Sequence, residues 1–223
     1  MHLSIYILRV IIKLMYHYER DLWKRGIQSI AGLDEAGRGA WAGPLLSAAV
    51  ILNRRINGLR DSKTLKAKDR YKLYDRILRN GIISIGTVEV EEINEHGLTW
   101  ANLVAMKRAL DGLSTIPKHL LIDYIHLPRS ITTITQTSIT DGDAISASIA
   151  AASIVAKVTR DNLMVRLHQE NESLQSFNFH KNFGYGTRAH VEALGKIGPT
   201  VYHRQFYKPV ARSRQMRLHI ENG

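Results

Sequence analysis

The pattern of apolar and polar residues along this chain switches between segments typical of strands and segments with helical spacing. Apolar runs at residues 28–36 and 44–52 predict two strands joined by a glycine-rich turn. Apolar positions at helical spacing follow in residues 62–80. Residues 82–90 then predict a third strand, and residues 98–113 a second helix. The first half of the chain therefore indicates strands interleaved with helices.

The second half continues this alternation. Residues 119–125 and the β-branched residues 130–139 predict two more strands. A long helix is expected over residues 143–170, where an Ala- and Ser-rich first half suits close packing against a sheet. Residues 187–198 predict a last helix, and a basic arm completes the chain. Strands alternating with helices indicate an α/β fold with a mixed sheet.

The expected domain organisation is simple, because no repeat, low-complexity tract or linker divides the chain. Residues 1–15 are interpreted as a dispensable N-terminal extension. Residues 16–210 are expected to form one domain with a C-terminal helical portion, and residues 211–223 a basic tail. The apolar N-terminus is too short to span a bilayer and is interrupted by Arg9 and Lys13, so neither a membrane segment nor export is expected.

The charge of the chain narrows the class of partner. The sequence has 31 Lys and Arg against 20 Asp and Glu, a net charge of +11 and a pI of about 9.9. Such an excess favours a polyanion, although a basic protein that merely stays in solution is an equal alternative on charge alone. There is no cysteine, which excludes disulfides and thiolate metal sites and fits a cytoplasmic protein.

Acidic residues nevertheless stand where apolar segments end. Asp34 and Glu35 are adjacent, Asp123 closes an apolar run, and Asp143 precedes the long helix. Each has an ordinary alternative: a solvated turn for the first two, a turn for Asp123, and a helix N-cap for Asp143. Side chains of Asp34 and Glu35 can converge only if their strand ends or bulges there. Together, the acids favour a site for Mg²⁺ or Mn²⁺, which prefer oxygen ligands.

The turn after the acids formally satisfies a dinucleotide-binding pattern, because Gly37, Gly39 and Ala42 match G-x-G-x-x-A. That motif must open a helix, whereas here Pro44 and a β-rich run follow. Two adjacent acids would also repel a pyrophosphate. The dinucleotide interpretation is therefore rejected.

Basic and aromatic residues are interleaved near the C-terminus, a composition that fits phosphate contacts combined with stacking. A solvated face with core aromatics is the alternative. The histidines of this region are more typical of structural residues than of metal ligands. The residues are Lys181, Arg188, Lys196, Arg204, Lys208, Arg212, Arg214 and Arg217, with Phe179, Phe183, Tyr185, Tyr202, Phe206, Tyr207 and the histidines His180, His190 and His203.

Several stretches taken together resemble the type 2 ribonucleases H, specifically bacterial ribonuclease HII. They are "IAGLDEAGRGAWAGPL", "LRDSKTLKAKDR", "LLID", "GDAISASIAAASIVAKVTRD" and "HKNFGYGTRAHVEALGKIGPTVYHRQFYKPV", in the family's order from about Tyr18 to Val210. The resemblance implies a ribonuclease H-like fold: a mixed five-stranded central sheet flanked by helices, with a C-terminal helical portion.

The resemblance also implies an activity and a set of site residues. The activity is metal-dependent endonucleolytic cleavage of RNA in RNA–DNA hybrids and beside single ribonucleotides in duplex DNA, leaving 3′-hydroxyl and 5′-phosphate ends. The protein is expected to act as a monomer with Mg²⁺ or Mn²⁺. Asp34, Glu35, Asp123 and Asp143 fall on the family's metal-site acids; Gly37, Arg38 and Gly39 on its ribose-sensing loop; Tyr185 on a tyrosine that packs on deoxyribose; and Lys63 on a phosphate-contacting lysine.

Departures and alternatives remain. Tyr124 stands where many members have a small residue, which predicts a differently shaped loop. The added N-terminal domain of ribonuclease HIII is not expected in a chain of this length. Residues 211–223 contain no convincing clamp-binding motif, which leaves recruitment by a clamp open. Asp61 or Ser62 could simply cap the next helix beside Lys63. A catalytically silent nucleic-acid-binding relative, or a DNA nuclease such as a resolvase, would also keep the basic arm or the acids.

Overall fold

A computed structural model describes the backbone of residues 15–221 and the side chains of residues 15–215. The predicted extension therefore lies outside the described residues except for Met15, as do the last two residues of the predicted tail. Among the helices of the described part, none is both long enough and apolar enough to cross a bilayer.

Five strands form one mixed sheet, as the sequence predicted. Strand β4 lies beside β1 and β5 and is parallel to both. The spatial order is β3-β2-β1-β4-β5, which places β1 at the centre. The strands are β1 (Ile30–Ala36), β2 (Leu45–Leu52), β3 (Gly81–Val88), β4 (His119–Asp123) and β5 (Gln136–Ile139).

Helices connect and follow the strands. They are α1 (His17–Lys24), α2 (Ala67–Leu78), α3 (Val90–His96), α4 (Leu98–Asp111), α5 (Gly142–Ile145), α6 (Ala147–Glu170), α7 (Phe179–Asn182), α8 (Arg188–Ile197) and α9 (Lys208–Glu221), with 3₁₀ turns at Ser62–Thr64 and Glu172–Phe177. The predicted basic tail is thus largely the end of a helix.

The structure shortens three predicted elements. The helix predicted over residues 62–80 begins only at Ala67, because Ser62–Thr64 form a separate 3₁₀ turn. Strand β5 starts only at Gln136, whose side-chain amide pairs with both backbone groups of Leu127 and closes the preceding segment into a loop. The long predicted helix is interrupted at Ser146, which is extended. Its hydroxyl donates a hydrogen bond to the Glu19 carboxylate, which also accepts the N–H of Ser148 in the first turn of α6. A carboxylate from α1 therefore caps the long helix.

Residue contacts divide the chain into two compact units. Of the described residues, the first unit comprises residues 15–36, Ser47–Gly86 and Leu103–Val158. Its core contains the alanine-rich face of α6, which carries Ala147 and Ala150–Ala152 among fully buried residues. Strand β1 approaches α6 so closely that a Cβ at Gly32 would overlap the carbonyl oxygen of Ser148. The small residues of the predicted helix therefore permit close sheet–helix packing.

The second unit, over the described residues, comprises Gly37–Leu46, Thr87–Asn102 and residues 159–221. Its described core is rich in aromatic residues, and Phe177 and Phe179 are both completely buried. The loop that follows β1 belongs to this core through Ala42. Trp41 and Ala42 both donate their backbone N–H groups to the carbonyl of Gly184, which ties this loop to the segment after α7.

Candidate active site

Asp34 is a buried carboxyl group near the end of β1, with 6% of its surface exposed. Its Oδ1 accepts the N–H of Glu35 at 2.7 Å, and its side chain also hydrogen-bonds to Ser153 of α6. Burial, followed by the charges of Glu35 and Asp123, raises the pKa of Asp34 well above its usual value. The two hydrogen bonds only partly offset this effect, so the ionised carboxylate is held in an unfavourable environment.

Asp123 is the last residue of β4, where the sequence placed it. Its Oδ1 accepts the N–H of Gly142 at 2.8 Å, which joins it to the start of α5. Burial raises its pKa, while this hydrogen bond and the charge of Lys63 oppose the shift. The next residue, Tyr124, has a φ of 59° and is 68% exposed. A left-handed residue at this point explains why a small side chain would suit the position.

Asp143 lies in the first turn of α5 and is buried. It does not serve as an N-cap: the residue before α5 is Asp141, which makes no side-chain capping bond, and Ser146 precedes α6. The Oδ2 of Asp143 has no hydrogen-bond partner. Burial, with the nearby charge of Asp61, raises its pKa to about 6, although Lys63 acts in the opposite direction. The ordinary alternative for Asp143 is therefore excluded.

Lys63 approaches these acids from the 3₁₀ turn. Its Nζ lies 3.7 Å from the Oδ2 of Asp143, and its side chain is 79% exposed. Burial lowers the pKa of Lys63, but Asp143, Asp61 and further carboxylates outweigh burial, and the pKa is raised. Asp61 caps the turn as expected, since its Oδ1 accepts the N–H of Lys63 at 2.8 Å.

The four predicted metal-site acids interact as pairs. The charges of Glu35 and Asp123 raise the pKa of Asp34, and the charge of Asp123 also raises the pKa of Asp143. Within the described residues, however, no three acidic or histidine side chains lie close enough to hold one ion together. Strand β1 continues through Ala36, so Asp34 and Glu35 fall within a strand, where successive side chains point to opposite faces. Their role as metal ligands stays a prediction.

The chemistry of these acids fits a divalent cation. Three of them, Asp34, Asp123 and Asp143, have pKa values that are raised mainly by burial and further by the charges of neighbouring carboxylates. The buried Oδ2 of Asp143 has no hydrogen-bond partner, and its ion pair with the exposed ammonium of Lys63 spans 3.7 Å. A hard cation would supply the missing partner and remove the repulsion, and carboxylate oxygens are the ligands that Mg²⁺ and Mn²⁺ prefer.

The glycine-rich turn lies in the second unit and starts directly after β1. Gly37 has a φ of 92°, a conformation that side-chain-bearing residues rarely adopt. A Cβ at Gly37 would also overlap the side chain of Arg160. Arg38 and Gly39 are both exposed, and a Cβ at Gly39 would meet nothing within 4 Å. The turn therefore offers an open backbone surface at Gly39.

Tyr185, the other predicted substrate contact in this unit, is half-buried. The guanidinium of Arg160 lies 5.5 Å from the centre of its ring, a cation–π contact. Its carbonyl accepts hydrogen bonds from the N–H of Thr187 at 2.9 Å and from the His190 ring at 3.0 Å. The hydrogen bonds thus hold the backbone of Tyr185 in place and Arg160 contacts its ring, while part of the side chain stays accessible.

The predicted basic surface is confirmed only in part. Arg204 is completely buried, which corrects its assignment to the surface. Arg217 lies outside the residues whose side chains are described. The remaining basic residues are exposed: Lys181, Arg188, Lys196, Lys208, Arg212 and Arg214. His190 and His203 form a buried hydrogen-bonded pair, in line with the structural role expected from the sequence.

Four residues near the site carried no periodic signal that could have identified them. Asp61 acts electrostatically on Asp143, and Ser153 hydrogen-bonds to Asp34. Arg160 and Arg204 are buried against the glycine-rich turn. All four stand inside the motif stretches, but only the folded structure reveals what they contact.

Comparison with known proteins identifies relatives across most of the chain. The family model for ribonuclease HII matches residues 31–210. The chain is 43% identical over 205 residues to ribonuclease HII of Bradyrhizobium diazoefficiens, covering 91% of this chain and 77% of that protein. It is 45% identical over 202 residues to ribonuclease HII of Desulfitobacterium hafniense, covering 89% and 76%.

Solved structures agree on the fold. Ribonuclease H2 of Pyrococcus horikoshii superposes with a TM-score of 0.72 at 23% identity, covering 84% of this chain and 98% of that one. The Archaeoglobus fulgidus ribonuclease HII from a complex with PCNA gives 0.67 at 24%, covering 81% and 95%. Bst-RNase HIII in complex with Mn²⁺ gives 0.65 at 16%, covering 84% and 70%. From the family model and its closely matching bacterial relatives, we conclude that the chain belongs to the ribonuclease HII family.

Proposed function

We propose that this endonuclease hydrolyses the RNA strand of RNA–DNA hybrids and cuts beside single ribonucleotides in duplex DNA, leaving 3′-hydroxyl and 5′-phosphate ends. The observation that carries the proposal is the set of buried, mutually repelling carboxyl groups in a protein of net charge +11. Positive charge attracts a nucleic-acid backbone, whereas the acids require cations. We further propose that the protein works as a monomer in the cytoplasm.

Asp34, Glu35, Asp123 and Asp143 would hold two divalent ions, Mg²⁺ or Mn²⁺. When bound, such ions supply a nucleophilic water and stabilise charge on the phosphate oxygens. A related fold, Bst-RNase HIII, has been solved in complex with Mn²⁺. The Gly142 N–H orients the carboxylate of Asp123, and Ser153 orients that of Asp34. The exposed ammonium of Lys63 can contact a phosphate as a flexible point charge.

Gly37, Arg38 and Gly39 would recognise the ribose 2′-hydroxyl, the group that distinguishes RNA from DNA. The open space beside Gly39 supports this role, because a backbone can approach a sugar closely only where no Cβ intervenes. The accessible part of the Tyr185 ring would pack against the neighbouring deoxyribose. The residues proposed for cleavage thus all belong to the first unit, and those proposed for recognising the ribose and the neighbouring deoxyribose belong to the second.

The experiment that tests the function is a cleavage assay on duplex DNA containing one internal ribonucleotide, with mapped product ends. An RNA–DNA hybrid and an all-DNA duplex are run in parallel, each with and without Mg²⁺. We expect cleavage of the first two only, dependent on the metal. Equal cutting of the all-DNA duplex would instead indicate a DNA nuclease such as a resolvase.

Asp34→Asn should lower the cleavage rate at least about 100-fold, because it removes a charged oxygen ligand with little change in shape. The same variant should unfold at an equal or higher temperature than the wild type, since the raised pKa of Asp34 means that its charge opposes folding. Asp69→Asn is the matched control: Asp69 is exposed in the first turn of α2. Near-normal turnover by Asp34→Asn would contradict the metal assignment.

A further inference from the structure

Two completely buried arginines lie behind the glycine-rich turn. Arg160 and Arg204 both have 0% of their surface exposed. Their guanidinium groups donate to backbone carbonyls of the segment from Gly37 to Pro44, all within the second unit. Burying a cation is unfavourable unless its donors are satisfied, and burying two together adds repulsion. Because burying two guanidinium groups together is unfavourable, we infer that they serve a function in addition to filling the core.

Arg204 contacts the turn itself. One of its terminal nitrogens donates to the carbonyls of Gly37 at 2.7 Å and Arg38 at 3.1 Å. Its other nitrogens donate to the carbonyl of Gly43, at 3.0 and 2.8 Å. The hydroxyl of Tyr207 donates to the carbonyl of Arg38 at 2.7 Å. The planar fork of one guanidinium thus fixes both ends of the loop.

This arrangement determines where the N–H groups of the turn point. In a trans peptide the N–H lies opposite the carbonyl of the preceding residue. Because the carbonyls of Gly37 and Arg38 face Arg204, the N–H groups of Arg38 and Gly39 face the opposite way. Both residues are exposed, and the space around the Gly39 Cα is open. Two successive N–H donors are therefore oriented away from the buried guanidinium.

Arg160 supports the same loop from its second end. It donates to the carbonyls of Pro44 at 3.0 Å, Ala42 at 3.0 Å and Phe183 at 2.9 Å. Burial, with the charge of Arg160, lowers the pKa of Arg204 to about 10, so Arg204 keeps its proton at neutral pH. A permanent positive charge behind the carbonyls polarises these peptides and makes their N–H groups stronger donors.

We propose that Arg204, assisted by Tyr207, is a positioning residue for ribose recognition: it holds the carbonyls of Gly37 and Arg38 inward and so aims the N–H groups of Arg38 and Gly39 at the substrate's 2′-hydroxyl. Neither side chain contacts the substrate in this assignment. The inference rests on the proposed function, because it explains how the turn could sense a hydroxyl with backbone groups alone.

The test measures binding without cleavage. Dissociation constants are compared in EDTA for an all-DNA duplex and for the same duplex with one internal ribonucleotide, and their ratio gives the ribose preference. In Arg204→Lys the preference should fall about tenfold, since an ammonium keeps the charge but cannot reach carbonyls on both sides. Affinity for the all-DNA duplex should change less than about twofold. A merely unstable protein would lose binding-competent molecules without changing this ratio.

Two further variants sharpen the result. Arg188→Gln removes an exposed charge that pairs with Glu192 and contacts no carbonyl of the turn; it should weaken binding to both duplexes equally. Tyr207→Phe removes the bond to the Arg38 carbonyl and the contact of the hydroxyl with Arg204, and it should lower the preference about threefold. If circular dichroism shows that Arg204→Lys does not fold, the ribose preference of Tyr207→Phe alone tests the positioning role.

Two outcomes would overturn the inference: an unchanged preference in the folded variants, or no preference in the wild type. The proposed function is judged separately, by Mg²⁺-dependent cleavage of the embedded ribonucleotide. Wild-type cleavage with an unchanged preference in the variants would therefore refute the positioning role alone.

Discussion

At the scale of single residues, a relay of hydrogen bonds explains why His190 and His203 are buried. The Nδ1 of His203 accepts the N–H of Thr200 at 3.0 Å, which leaves the proton of His203 on Nε2. This proton faces the Nε2 of His190 at 3.0 Å, and the Nδ1 of His190 donates to the carbonyl of Tyr185. Each ring has one consistent neutral tautomer, and a second proton on either ring would set two donors against each other.

This pair should make the protein less stable in mild acid. Burial, with the neighbouring His190, lowers the pKa of His203 from 6.5 to about 3, and burial lowers that of His190. Because the unfolded chain binds these protons first, their contribution is complete above about pH 6.5 and is lost as the pH falls toward 3. His203→Gln should reduce the loss of unfolding free energy between pH 6.5 and 5 by about 2 kcal/mol.

The measurement is urea unfolding of wild type and His203→Gln across that pH range. Comparing the slopes of the two proteins cancels the contributions of groups that they share, including the acids of the candidate site. Parallel slopes would mean that His203 does not bind a proton on unfolding in this range.

At the scale of elements, β1 and α6 pack against each other closely at Gly32. Gly32→Ala should destabilise the protein by about 3 kcal/mol, because the new methyl group overlaps the Ser148 carbonyl and neither backbone can move without disturbing the core. Thermal or urea unfolding measures the loss. Gly195→Ala in α8 is the matched control: its Cβ meets nothing within 4 Å, so stability should stay equal or rise by up to about 1 kcal/mol.

Elements with a clear period were predictable from the sequence, and those set by tertiary contacts were not. Strands β1 to β4 and helices α4 and α8 follow their apolar patterns to within a few residues, whereas α2 starts five residues later than predicted. The start of β5 depends on the Gln136 amide, and the break at Ser146 on a carboxylate from α1. The residues that they contact, Leu127 and Glu19, lie outside the sequence segments that predicted β5 and the long helix. The acids of the site were found by their positions at element ends, whereas their pairwise arrangement and the buried arginines required the folded chain.

At the scale of the whole molecule, the net charge of +11 should dominate nucleic-acid affinity. Each phosphate that a basic residue neutralises releases condensed counterions, so affinity falls steeply with salt. We expect binding to an all-DNA duplex to weaken at least about 100-fold between about 50 and about 200 mM monovalent salt. Fluorescence anisotropy titrations give the slope. A slope near zero would mean that the basic residues form only a solvated face.

The repulsion among Asp34, Asp123 and Asp143 has a practical consequence for anyone who engineers this enzyme. Neutral replacements at these positions relieve an unfavourable charge. Under the proposed metal assignment, a library sorted only by heat resistance would therefore be enriched in inactive variants. Variants selected in this way would show raised thermal stability, and their loss of activity would be detected only in a cleavage assay. Selection for robustness in this protein therefore has to be coupled, in the same round, to selection for turnover.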